Sequence, residues 1–128
     1  MRLLPTTIAV MLVASSYAVP VKANDQLVAN ICNYVHADDK NRLRKKLKET
    51  RVKLRNVYQD ISCDGDSLLR FAMKSGANDV GAFVAKRLST TDLAAKEADG
   101  QNILEWAEAN GHSALAMTSA IKERLAGS

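Results

Sequence analysis

Nine of the sixteen residues from Lys40 to Arg55 are lysine or arginine, and a single one, Glu49, is acidic. From residue 24 onward the rest of the chain carries seven basic and thirteen acidic residues, so a net charge of −6 faces one dense cationic strip. A strip of this kind attracts phosphate or carboxylate surfaces by electrostatics alone. Lys45, Lys46, Arg51, Lys53 and Arg55 are the candidate anion contacts. No aromatic residue lies within the run, which removes the stacking platforms of single-strand recognition and argues against a nucleic-acid partner. The same run also reads as a solvated helix face that balances the acidic remainder.

Other residues capable of chemistry do not assemble into a reaction centre. His36 and His112 fall at turns, far apart in the chain. Ser67 and Ser113 stand where helices open, which suits capping better than nucleophilic attack. Asp64, Asp66, Asp99 and Glu105 lie one period apart in equivalent turns, too dispersed for a paired-carboxylate mechanism. Asp64-Gly65-Asp66 lacks the remaining ligand positions of a calcium loop, and no glycine loop of the phosphate-cradling type occurs. Two cysteines and two distant histidines do not make a zinc set. The expectation is a protein without catalytic residues, metal or cofactor.

The cysteines, Cys32 and Cys63, imply a disulfide if the chain is exported. The first 23 residues carry that implication. A short basic start at Arg2 precedes an apolar run from Leu3 to Ala14, and Val21-Lys22-Ala23 supplies small residues around a cleavage point before Asn24, with Ala18 as an alternative. This is the pattern of a secretory signal peptide, too short to span a bilayer. In an oxidising compartment an even pair of cysteines is expected to be bridged. In the chain-entropy account, closing such a loop stabilises by roughly 3–4 kcal/mol. No later segment is apolar enough to cross a membrane, so the expected location is the periplasm or the exterior. The remaining 105 residues suit one domain.

The elements that position these groups show a repeat. Asp64-Gly65-Asp66-Ser67-Leu68-Leu69-Arg70-Phe71-Ala72-Met73-Lys74-Ser75-Gly76 recurs 35 residues later as Asp99-Gly100-Gln101-Asn102-Ile103-Leu104-Glu105-Trp106-Ala107-Glu108-Ala109-Asn110-Gly111. A fixed period of this size predicts stacked helix pairs. The expected fold is all-α: three stacked antiparallel helix pairs in a short solenoid, with units at about 25–50, 64–88 and 99–125 and one disulfide. Asn24 or Asp25 caps the first helix, with Leu27, Ile31, Tyr34 and Val35 on its apolar face. Asp38 caps the second, striped by Leu43 and Leu47. Residues 51–63 read as an extended arm from the alternation in Arg51-Val52-Lys53-Leu54-Arg55, although Leu54 and Val57 also continue a helical stripe. Ser67 opens and Gly76 ends the third helix. The fourth starts at Asn78 or Asp79 and turns Val80, Phe83, Val84 and Leu88 inward. Ser89 to Asp92 has capping chemistry for one short turn. Asn102 and Glu105 form a capping-box pair for the fifth helix. Ser113 opens the sixth, packed through Leu115, Met117, Ile121 and Leu125. Cys32, Ala72 and Ala107 place a small residue at one site in each unit, and Phe71 and Trp106 share an aromatic slot expected in the core.

The second and third units resemble ankyrin repeats, through Asp64-Gly65, Ser67, Leu69, Ala72 and Gly76, and through Asp99-Gly100, Asn102, Leu104, Ala107 and Gly111-His112. Where that pattern has proline this chain has Leu68 and Ile103. Where it has the histidine that bonds across the turn, Arg70 and Glu105 stand, so the usual polar network at the helix start is expected to be missing. The Cys63-Asp64-Gly65 before Leu68-Leu69-Arg70-Phe71-Ala72 is also similar to a family of small exported bacterial proteins of unknown function. Neither resemblance carries an activity. Helix-pair solenoids commonly serve binding, so the functional expectation is an exported, non-catalytic interaction module facing a protein or an anionic envelope component: lipopolysaccharide phosphate, anionic phospholipid or acidic glycan. The alternative is a structural or stress-related periplasmic protein with no dedicated ligand.

Overall fold

The computed structural model describes residues 24–127. The expected signal peptide, residues 1–23, lies outside the described residues. Helix α1 (Asp25–His36) opens under an Asn24 cap, whose side chain accepts the Leu27 N–H at 2.8 Å. It buries Leu27, Ile31 and Val35, the i, i+4, i+8 stripe of an amphipathic helix. Helix α2 (Lys40–Thr50) buries Leu43 and Leu47 and leaves its cations outside. Its cap is Asp39 rather than Asp38. Asp38 sits in the left-handed region at φ 55° and instead accepts the Val80 N–H at 2.8 Å, fastening the first pair to the second.

The expected extended arm gives way to helix. After an extended Lys53, α3 (Leu54–Val57) and a 3-10 turn (Tyr58–Asp60) follow. Leu54, Val57 and Tyr58 are all buried, and their i, i+3, i+4 spacing outweighs the two-residue alternation before them. Strands β1 (Ser62–Cys63) and β2 (Asp66–Ser67) pair antiparallel, Cys63 opposite Asp66, around a two-residue turn with Asp64 at φ 53° and Gly65 at 84°. An Asp-Gly turn of this hand matches the twist of a tight hairpin.

Helix α4 (Leu68–Lys74) ends at Gly76, φ 67°, and α5 (Asn78–Arg87) returns antiparallel. Ser67 stands at the N-cap of α4 but makes no capping bond; its hydroxyl donates to Glu97 at 3.1 Å. The short α6 (Thr90–Ala94) is capped by Ser89. Helix α7 (Ile103–Ala109) carries the complete Asn102–Glu105 capping box. Helix α8 (Ala116–Ala126) starts two residues later than expected, with Leu115 rather than Ser113 at its N-cap. The Thr118 hydroxyl donates to the His112 carbonyl at 2.7 Å and holds the preceding turn out of the helix.

Helices α1, α4 and α7 pack in succession on one side, and α2, α5 and α8 on the other, so the molecule is all-α with stacked helix pairs and one small hairpin. The α5–α8 contact is the most extensive. Gly81 permits it: a Cβ there would lie 2.8 Å from the Met117 Cε and nearer still to its sulfur. Ala72 and Ala107 are fully buried at equivalent places. The Cys32–Cys63 disulfide ties α1 to the hairpin that opens the second unit.

Candidate functional site: a cationic groove between α2, α3 and α5

The cationic strip does not spread evenly over one helix. Arg51, in the left-handed conformation at φ 57°, stops α2, and the chain doubles back through Val52 and Lys53 into α3. Because α2 and α3 both pack on α5, the last turn of α5 meets them. The result is a groove of about 600 Å³. Its rim holds Arg44, Lys48, Lys53, Arg55, Lys86 and Arg87, and its floor is Leu47, Val52, Leu54 and Phe83. Among the described residues, none of these six cations forms an ion pair. Arg44 reaches Asn41 at 3.0 Å, and the Arg87 guanidinium lies 4.6 Å above the Phe83 ring. Phe83, expected in the core, is half-buried and lines the groove, because α5 turns this residue towards α2 and α3.

Of the five residues singled out from the sequence, Lys53 and Arg55 line the groove. Lys45, Lys46 and Arg51 do not; Lys46 leans towards Glu49 at 3.9 Å, and Lys45 and Arg51 are exposed. Arg44, Lys48, Lys86 and Arg87, not among those five, complete the rim. Lys86 and Arg87 lie more than thirty residues from Lys53 and Arg55, and their position in a last helical turn is itself favourable for cations, so nothing local flagged them.

The other titratable groups form structural contacts. Arg70, expected only as a departure from the ankyrin pattern, builds a cross-unit network where none was expected. Its Nη atoms donate to both Asp99 oxygens at 2.8 and 2.9 Å and to the Gln101 carbonyl at 3.3 Å. Its Nε lies 3.1 Å from Glu97 without the alignment of a hydrogen bond, and its guanidinium sits 5.0 Å from the Trp106 ring centre. Hydrogen bonding to Arg70 holds the exposed Asp99 carboxyl down at about 2, while burial pushes Glu97 up against the pull of Arg70. Burial raises Tyr58 to about 12, partly offset by Ser67. Glu105 pairs with Lys96 at 2.8 Å, and this contact lowers its carboxyl.

His112 stacks on Trp106 at 5.3 Å. His36 lies across the molecule in a second depression of about 510 Å³, with the disulfide, Asp25, Asp64 and a half-buried Phe71. Phe71 therefore departs from the core role expected of the shared aromatic slot, whereas Trp106 keeps it. Among the described residues no group of three or more His, Cys, Asp or Glu could hold a metal ion. No helix among them is long and apolar enough to cross a membrane.

The family of proteins of unknown function designated DUF3718 matches residues 31–95, which span α2 to α6 and the whole groove. The chain belongs to that family. No curated protein and no solved structure matches it.

Proposed function

We propose that this member of the DUF3718 family is an exported, non-catalytic interaction module that holds an anionic component of the cell envelope, or an acidic protein surface, in the groove between α2, α3 and α5. One observation carries the reading: six cations converge on an apolar floor, and no described carboxylate neutralises them. Like charges brought together without counter-ions repel, so the arrangement disfavours the empty state and favours whatever anion enters. The disulfide supports an oxidising location, periplasmic or secreted. The stacked pairs, ankyrin-like in pattern, supply a rigid frame of the kind commonly used for binding. Lys45 and Arg51, outside the groove, act in long-range attraction.

Retention of the oxidised protein on heparin, and on vesicles with and without anionic lipid, tests this. Binding is expected at low salt and should weaken steeply once the screening length falls below about 10 Å. A variant with Lys53, Arg55, Lys86 and Arg87 changed to Gln should lose most of it, at about 1 kcal/mol per cation near an anionic surface. A variant with Lys45, Lys46 and Arg51 changed to Gln should keep the larger part. Absence of binding at low salt, or equal loss in the two variants, would overturn the assignment in favour of a structural protein with no dedicated ligand.

A further inference from the structure

The groove has two chemically different parts, and a simple anion would use only one of them. Its rim is cationic, with three guanidiniums from Arg44, Arg55 and Arg87. Planar guanidinium forks match phosphate oxygens, two donors to two acceptors. Its floor is aliphatic and aromatic, and Phe83 is held half-exposed there under the Arg87 guanidinium. A purely polar anion such as free phosphate or a sulfated sugar would leave that floor in water. A neutral apolar ligand would leave the cations without partners. The volume, about 600 Å³, lies within the range of small-molecule sites.

We infer that the occupant is the polar end of a phosphate-bearing lipid, its phosphate beneath the guanidinium and ammonium rim and its first methylenes against Phe83. The inference rests on the binding function proposed above and names its ligand class. The floor is four side chains long, and three of them, Leu47, Val52 and Leu54, are buried, so the half-buried Phe83 offers most of its accessible surface. It therefore covers a short stretch of chain and not a whole acyl tail. The protein grips a lipid at its headgroup and leaves the rest of the tail where it lies.

Titration calorimetry of the oxidised protein at low salt tests this. The probes are inorganic phosphate and ethyl, butyl, hexyl and octyl phosphate below their micelle concentrations, with octyl glucoside as the uncharged control. Each methylene that reaches the floor should tighten binding about fourfold, the equivalent of one buried CH₂, and the gain should stop once the floor is covered. Octyl glucoside should bind far more weakly than octyl phosphate. Phe83→Ala should flatten the chain-length dependence and keep affinity for inorganic phosphate, while Phe83→Leu should retain the slope. The wild-type series decides by itself, whatever the stability of the variants. Equal affinity for inorganic and octyl phosphate would overturn the lipid inference and leave the anion-binding function standing. No binding of any phosphate at low salt would overturn the lipid inference, and the absence of heparin and anionic-vesicle binding as well would overturn both.

Discussion

Replacing Arg70 by Met keeps the aliphatic stem but removes the charge that links the second helix pair to the third. The side chain of Glu97, only 25% exposed, loses its cation and keeps the Ser67 hydroxyl as a donor. A buried acceptor left under-satisfied costs about 1–3 kcal/mol, and the remaining donor and partial exposure place this case near about 1. Loss of the guanidinium over Trp106 adds about 0.5–1 kcal/mol, and loss of the Gln101 contact about 0.5–1. Asp99 is exposed and is given no share. The expected deficit at pH 7 is about 2–3 kcal/mol, read from the midpoint of urea unfolding.

The deficit depends on pH in a defined direction. A carboxyl raised by folding binds more protons folded than unfolded, so Glu97 lowers stability as pH climbs above the ordinary value of about 4.3. Arg70 opposes that rise, and removing it deepens the loss. Asp99 works the other way in the wild type: lowered to about 2, it contributes stability present above its unfolded value and lost as pH falls towards 2. The Glu97 effect makes the Arg70→Met deficit largest at neutral pH and smaller by about pH 4, while any part played by the exposed Asp99 falls away only below that. Adding Glu97→Gln should recover part of the loss at pH 7, because no unpaired charge remains. A deficit below about 0.5 kcal/mol, the range of ordinary surface changes, or one unchanged between pH 7 and 4, would refute the reasoning.

Reducing the disulfide, or changing both Cys32 and Cys63 to Ala, should cost about 4 kcal/mol for a 31-residue separation and lower Tm by more than about 10 °C; an unchanged melt would count against a stabilising bridge. Asp38→Ala should cost about 1–2 kcal/mol by freeing the Val80 N–H and placing alanine at positive φ, whereas Asp38→Asn, which keeps the acceptor and tolerates that conformation, should cost much less in the same urea titration. Absorbance at 295 nm should show a tyrosine that ionises only near pH 12, because Tyr58 is buried. The folded state then loses stability as pH rises from about 10, and a single titration of all tyrosines near 10 would contradict it. Gly81→Val should destabilise by about 1–3 kcal/mol through overpacking against Met117, read from the urea midpoint; an unchanged midpoint would count against that close approach.

Determinants that act within one helical turn were legible in the amino-acid order. The Asn24 cap, the Asn102–Glu105 box and the glycine stops at 76 and 111 each involve groups no more than four residues apart, so residue type and spacing specify them. The disulfide followed from cysteine parity and the leader pattern, and the helix pairs from the 35-residue period. Determinants that join different units were not legible. Asp38 caps a helix 42 residues away, Ser67 serves Glu97 instead of its own helix, and Arg70 finds Asp99 29 residues on. The groove is of this second kind. Lys53 and Arg55 belong to the conspicuous cationic run, but Lys86 and Arg87 join them only because α5 packs against both α2 and α3. One turn of helix reaches about 5 Å along the chain, whereas packing brings together faces whose positions depend on every intervening turn. Periodicity therefore specified which elements form, and side-chain packing between them decided which charges meet.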